Sequence, residues 1–195
     1  MQKGYLLDTN AYYELLKRSR EQQKDGTVFS PEIHTLLNSD LFISTITKVE
    51  IISVLGKYAR GSSGGFQRCT RSLSAAGASC QNQWYIKPRA RWDRKRVNGW
   101  QRLIKETEAG TSSLFTVDIL PFDDHTIQMA ENLILHALVY NFASMDAMIA
   151  ATAQSAIEAG RDMTVVTSDK GLKACLSKAG IACWDIFQAG VANAL

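Results

Sequence analysis

Four acidic residues stand in local settings where a carboxylate can do chemistry. Asp8 ends the apolar run Tyr5-Leu6-Leu7 and is followed by Thr9-Asn10. Glu50 lies inside the apolar stretch from Ile46 to Leu55, and Asp146 opens the small-residue segment Ser144-Met145-Asp146-Ala147-Met148-Ile149-Ala150-Ala151. Asp169 closes Thr164-Val165-Val166-Thr167-Ser168. Ions resist leaving water, so acids at strand ends and on apolar helix faces are costly to bury unpaired. A divalent cation offsets that cost, and a cation held by carboxylates points to phosphate chemistry.

The elements that must position these acids follow from periodicity and punctuation. Tyr5 to Leu7 reads as a buried strand, and Thr9 or Asn10 is expected to cap a helix from Ala11 to about Gln23. Ser30-Pro31 starts a short helix through Leu37, and Leu41-Phe42-Ile43 is a second strand. Ser44 or Thr45 caps a long helix through about Tyr58, which Gly61-Ser62-Ser63-Gly64-Gly65 ends. The Ser-, Ala- and Gly-rich stretch to Gln83 carries no assignment. A helix is expected from Gly99 to about Glu108, then a strand over Phe115 to Leu120. Asp123-Asp124 begin a helix with Ile127, Ala130, Leu133 and Ile134 on one face. After the connection Asn141-Phe142-Ala143 come a helix to about Ala159, a strand from Met163 to Thr167, a helix from Lys170 to Ala179 and a short strand from Ile181 to Trp184. Strand–helix alternation with near-continuous apolar strands implies a parallel sheet covered by helices on both faces.

In such a sheet ligands collect outside the carboxyl ends of the strands. Asp8 and Asp169 occupy such ends. Glu50, about two turns into the helix after the second strand and flanked by Val49, Ile51, Ile52 and Val54, can extend its long side chain to the same crevice. Asp146 sits in a first helical turn, where the dipole favours an anion.

The 195 residues suffice for one sizeable domain, or one domain with an insertion, and the 46% apolar and 21% charged composition is that of a soluble globular protein. No apolar run approaches the roughly 20 residues of a membrane span. Cys69, Cys80, Cys175 and Cys183 form no C-x-x-C pair and lie near no histidine at zinc spacing, so reduced thiols in the cytoplasm are expected. The net charge of +3 hides an asymmetry: between Lys57 and Lys105 twelve bases face the single acid Asp93, giving +11 against −8 elsewhere. Within that segment Trp84, Tyr85, Trp92 and Trp100 interleave with Lys87, Arg89, Arg91, Arg94, Lys95 and Arg96. Such a mixture suits a polyanion, with cations on phosphates and aromatics either stacking on unpaired bases or anchoring the segment to the fold.

Four pieces in order, Leu7-Asp8-Thr9-Asn10, Ser44 to Glu50, Met145 to Ala151 and Val166-Thr167-Ser168-Asp169-Lys170, give the chain a resemblance to the PIN domains, and within them to the VapC-like toxin ribonucleases of type II toxin–antitoxin systems. The resemblance spans nearly the whole chain. It implies a three-layer α/β/α sandwich with a central parallel sheet, a single domain over 1–195 with a basic extension at about 57–113. It further implies endonucleolytic RNA cleavage with Mg²⁺ or Mn²⁺, Asp8, Glu50, Asp146 and Asp169 being the metal-binding quartet and Asn10 and Thr167 its supporting polar positions. A homodimer and a small antitoxin that blocks the site are implied as well. Arg89, Arg91, Arg94, Lys95 and Arg96 are the expected RNA or partner contacts, and the segment between Glu50 and Leu120 is longer than in compact members.

Other readings of the same residues stay open. Singly, Asp8 can be a helix cap, Asp146 a dipole-stabilising acid and Asp169 a turn residue. An aspartate-nucleophile phosphatase also uses an apolar strand ending in Asp, although such enzymes usually place a second Asp where Asn10 stands. A non-catalytic RNA- or partner-binding module needs only the basic segment.

Overall fold

A computed structural model of the chain describes residues 3–26, 28–69, 81–137 and 142–187. Arg71, Cys80 and Asn141 fall outside these, as does most of the unassigned Ser-, Ala- and Gly-rich stretch. The chain divides into two compact units, one made of Met1–Ile51 and Leu103–Leu195 and the other of Ile52–Arg102.

The larger unit holds a five-stranded sheet whose pairings are all parallel, in the order β5-β2-β1-β6-β7. The strands are β1 (Gly4–Leu7), β2 (Asp40–Ser44), β5 (Asp118–Leu120), β6 (Met163–Val166) and β7 (Cys183–Trp184). From β1 the chain adds β2 and β5 on one side, then returns to add β6 and β7 on the other. The order therefore reverses between β1 and β6, the kind of crevice in which open α/β sheets bind ligands.

Alternation along the strands builds the layers. Leu6 pairs in register with Phe42 and Val165, and all three join one buried cluster with Met129, Ala130, Leu133, Ala150, Leu172 and Leu176. Those residues come from α5 (Asp124–Ile134), α6 (Ser144–Glu158) and α7 (Lys170–Ala179). One residue along, Leu7, Ile43 and Val166 are fully buried on the opposite face. On β1 and β2 pack α1 (Thr9–Asp25) and α2 (Pro31–Leu37), which bury Tyr12, Leu15, Leu16, Ile33 and Leu36. The result is the expected three-layer α/β/α sandwich. The small helix–helix seam of α6, all Ala and Ile at 147, 149, 150, 151 and 153, lets it lie between its neighbours α5 and α7.

Several expectations need correction. The cap of α1 is Asp8, not Thr9 or Asn10: its Oδ1 accepts the Ala11 N–H, and the helix starts two residues earlier than expected. On α3 (Thr45–Arg60) the buried positions are Thr47, Ile51 and Leu55, one residue per turn, while Val49 is 67% and Ile52 46% exposed. Glu50 is thus not enclosed by apolar neighbours; it lies at the margin between faces. Ile127 of α5 is exposed, and Thr126, Met129, Ala130 and Leu133 form the buried stripe instead. Ser44 caps α3 as expected, accepting the Thr47 N–H.

The smaller unit contains an antiparallel hairpin of β3 (Gly65–Arg68) and β4 (Gln83–Ile86), which periodicity did not reveal because each strand is four residues long and polar or aromatic on both faces. Two glycines with positive φ, Gly64 at 75° and Gly65 at 128°, lead into it, conformations that a side chain strains against. Beyond the hairpin, α4 (Arg94–Glu108) begins at Arg94 and not at Gly99, because the Asp93 carboxylate accepts the Arg96 N–H and caps it. Within this unit Tyr58 stacks on Trp92 with ring centroids 4.4 Å apart, and Trp92 on Trp100 at 5.9 Å. Both tryptophans are buried, so they anchor the unit and are closed to a ligand. Among the described residues no helix is long and apolar enough to cross a membrane.

Candidate active site

Adjacent strands β1 and β6 end level with one another, Leu7 opposite Val166, and each is followed by a residue of the site. The Asp8 N–H donates to the Val166 carbonyl at 3.1 Å, which carries the β1–β6 ladder one step past the strand. Asp8 is only 3% exposed and has both carboxylate oxygens engaged. Oδ1 accepts the Ala11 N–H at 2.6 Å and Oδ2 accepts the Thr167 hydroxyl at 2.5 Å. That hydroxyl in turn accepts the Asp169 N–H at 3.0 Å, so one threonine fixes Asp8 and the backbone of Asp169 together.

Asp169 caps α7, its Oδ1 accepting the N–H groups of Gly171 and Leu172 at 2.7 and 3.1 Å. Asp146, at the third position of α6, reaches back to the Ala143 N–H through Oδ2 at 2.8 Å. Three aspartates are therefore helix-terminus acids, Asp169 being a cap where a turn residue was the alternative, and each of these hydrogen bonds also orients its carboxylate. Glu50 is held differently: its Oε2 accepts the Thr9 hydroxyl at 2.5 Å. Thr9 thus serves Glu50 and not the cap of α1.

The electrostatics tie the four acids into one group. Burial pushes the Asp8 carboxyl up from 3.8 to about 6; the Thr167 and Ala11 hydrogen bonds oppose this, and the charges of Asp169 and Glu50 add to it. Asp146 is raised as well, first by burial, against the pull of the Ala143 N–H, with Asp169 and Glu50 again raising it. An open cavity of about 580 Å³ lies against Asn10, Phe142, Ala143, Asp146, Ser168, Asp169, Lys170 and Gly171. Asp146, Asp169 and Asn10 thus share one cavity wall, while Asp8 and Glu50 are absent from that lining. Among the described residues, no three His, Cys, Asp or Glu groups are already gathered closely enough to enclose an ion.

A family model for the PIN domain matches residues 5–175. The chain belongs to the PIN domain family. The fold of this PIN domain is similar to that of VapBC2 from Rickettsia felis bound to a promoter DNA fragment, with a TM-score of 0.51, 13% identity and coverage of 93% of this chain and 98% of that one. FitAcB from Neisseria gonorrhoeae matches with a TM-score of 0.49 and 19% identity over 92% of this chain and 96% of that one. DNA-bound VapBC from Salmonella typhimurium matches at 0.49 and 17% identity over 95% and 98%. No curated protein matches the sequence.

The donor set of the PIN site fits a hard divalent cation. A Cβ on Gly171 would lie 2.9 Å from Asp146 Oδ2 and 3.1 Å from Asp169 Oδ1, so two carboxylate oxygens crowd the bare face of one glycine. Mg²⁺ typically takes one or two carboxylates and retains waters, which suits an open pair better than a closed cage. Sequence reasoning passed over Gly171, since glycine's low helix propensity does not by itself reveal the two carboxylates crowding it. Gly171→Ala is expected to keep the fold, since its φ is ordinary, and to displace the two carboxylates by a few tenths of an ångström. We expect Mg²⁺ affinity to fall about tenfold, as for other changes that misorient metal ligands. A Mg²⁺ titration followed by calorimetry checks this, and unchanged affinity would remove Asp146 or Asp169 from the ligand set.

Proposed function

We propose that this PIN domain is a Mg²⁺- or Mn²⁺-dependent endoribonuclease and the toxin of a toxin–antitoxin pair. The observation that carries the reading is the pair of carboxylates, Asp146 and Asp169, set side by side over an open cavity at the β1–β6 switch, with Asp8 behind them. Asp8, Glu50, Asp146 and Asp169 would hold the cation. When bound, it supplies Lewis acidity toward a phosphoryl group and hydroxide at neutral pH.

The chain's own residues do the rest. Thr167 positions Asp8 and Asp169 through one hydroxyl, and Thr9 holds Glu50. Asn10 lines the cavity and can orient a water or a phosphate oxygen by hydrogen bonding. Lys170, on the same lining, places a cation where a phosphodiester would bring negative charge. The motif resemblance to VapC-like toxins adds a small antitoxin covering this cavity and a homodimer.

An aspartate-nucleophile phosphatase is a poorer reading of the same residues. Asp8 is buried and absent from the lining of the open cavity, so although each oxygen keeps a lone pair for a cation, neither is presented to a phosphoryl group for in-line attack. The proposal is tested with purified chain and a mixed-sequence single-stranded RNA. Cleavage is expected in Mg²⁺ or Mn²⁺, none in EDTA, and recovery on adding the ion back. Cleavage undiminished in EDTA would overturn the metal requirement, and binding without cleavage at any metal concentration would favour a non-catalytic RNA-binding module.

The basic segment is expected to govern affinity more than chemistry. Arg91, Arg94, Lys95 and Arg96 are exposed. Replacing all four with Ala should weaken RNA binding and make the slope of log K against log salt shallower by up to about 3, since each phosphate contact to a single strand contributes about 0.7. Turnover at saturating RNA should change much less. A salt series on wild type and quadruple variant decides; loss of antitoxin binding with RNA affinity intact would reassign the surface to the partner.

A further inference from the structure

The hairpin of the smaller unit carries large aromatic side chains that its own core does not use. Phe66 pairs with Tyr85 across the ribbon, ring centroids 5.2 Å apart and planes tilted by 60°, yet Phe66 is 77% and Tyr85 55% exposed. Trp84, opposite Gln67 on the other face, is 47% exposed. By contrast Tyr58, Trp92 and Trp100 stack on one another, so the unit already has an aromatic core. A cross-strand aromatic pair stabilises a ribbon, which accounts for the contact between the rings but not for three exposed π-faces on a four-residue ribbon.

The charge around the rings selects the ligand. Arg68 lies two residues from Phe66 and so on the same face of the pleat, and Lys87 and Arg89 follow Tyr85 along the chain. Among the described residues, Arg68 and Lys87 make no ion pair. The single acid of this unit, Asp93, is committed to capping α4. Cations alone would suit any polyanion. Cations interleaved with exposed flat rings suit one whose charges alternate with flat groups that can stack, which is an unpaired nucleic-acid strand. We propose that the β3–β4 hairpin is a stacking platform for unpaired bases of single-stranded RNA, with Phe66 and Tyr85 as its principal faces and Arg68 and Lys87 on the phosphates. The choice of RNA rests on the ribonuclease reading above; the platform itself rests on the hairpin.

The test uses the full chain in EDTA, where no cleavage intervenes, and a fluorescein-labelled oligo(U) of about ten nucleotides read by anisotropy. Phe66→Ala and Tyr85→Ala are each expected to weaken binding at least about fivefold, the lower end of measured base–aromatic stacking. Phe66→Leu, which keeps an apolar cross-strand contact but lacks a π-face, should weaken it similarly, and Tyr85→Phe should bind as wild type does. A duplex RNA should bind less tightly than the single strand, because its bases are not free to stack. Wild-type affinity in the Ala variants, or in Phe66→Leu, would overturn the proposal, as would equal affinity for duplex and single strand. Loss of a protein partner in the Ala variants with RNA affinity unchanged would overturn it too. In Mg²⁺ the Ala variants should raise KM and leave kcat within about twofold. A wild-type chain that binds the oligo(U) through these rings but never cleaves would sink the ribonuclease reading and leave the platform standing; one that cleaves while the Ala variants bind normally would do the reverse.

Discussion

Asp169→Asn is expected to lower RNA cleavage at least about a thousandfold at saturating Mg²⁺, the loss of several kcal/mol that follows when a cation is no longer held against the phosphoryl group. The substitution keeps the carbonyl oxygen that caps α7, so the Gly171 and Leu172 N–H groups retain their acceptor. The fold should survive, and a near-native circular dichroism spectrum is the control. Asp8→Asn should be comparably inactive. There the amide nitrogen turns toward the Thr167 hydroxyl, which can accept from it as well as from the Asp169 N–H, since a hydroxyl oxygen has two lone pairs. Wild-type cleavage by either purified variant would remove that residue from the chemistry. Because neither change deletes a cap, an inactive variant that folds and melts no lower than wild type isolates the carboxylate charge.

The same Asp8→Asn change is expected to stabilise the metal-free protein at neutral pH. The folded-state pKa of Asp8 is raised from 3.8 to about 6 by burial, so the folded state binds this proton more tightly than the unfolded chain does. Its contribution to stability is fully present below pH 3.8 and is lost as pH rises through 6, amounting to about 3 kcal/mol between those limits. In EDTA the wild type should therefore lose stability relative to Asp8→Asn on going from pH 4 to pH 7. The direction for Asp146 is the same. Urea unfolding of both proteins at pH 4, 5.5 and 7 gives the difference directly. A flat difference across that range would mean that Asp8 is not desolvated. Added Mg²⁺ at pH 7 should then stabilise the wild type more than the variant, because only the wild type offers the buried charge.

The chain positions of Asp8 and Asp169 were legible because both followed from a local rule. An apolar run ending in Asp, twice, placed Asp8 and Asp169 at strand ends, and the α7 boundaries at Lys170 and Ala179 came out as read. The hydrogen bonds were not legible. Thr9 was read as a cap and instead binds Glu50, 41 residues away, and Thr167 joins Asp8 across 159. Local pattern carries no information about such pairs. Glu50 was reasoned from its apolar neighbours, yet Val49 and Ile52 face out, because a helix buries one position per turn and a run of apolar residues cannot all be inside. The β3–β4 hairpin escaped for the opposite reason. With water on both faces it lacks the alternation that betrays a half-buried strand.

The separation of 159 residues between Asp8 and Thr167 bears on synthesis as well as on geometry. β1 leaves the ribosome well before its partner β6, the Thr167 hydroxyl and the Asp169 cap, which lie much later in the chain. Until they emerge, the Asp8 carboxylate has only its Ala11 contact, its Oδ2 lacks the Thr167 hydroxyl, and the switch crevice does not exist. Parallel pairing at this range is also slow to nucleate, since loop closure must be completed before any contact offsets it. A growing polypeptide therefore carries half a site until β6 and the start of α7 have been made, and the topology itself delays assembly of the acids until then.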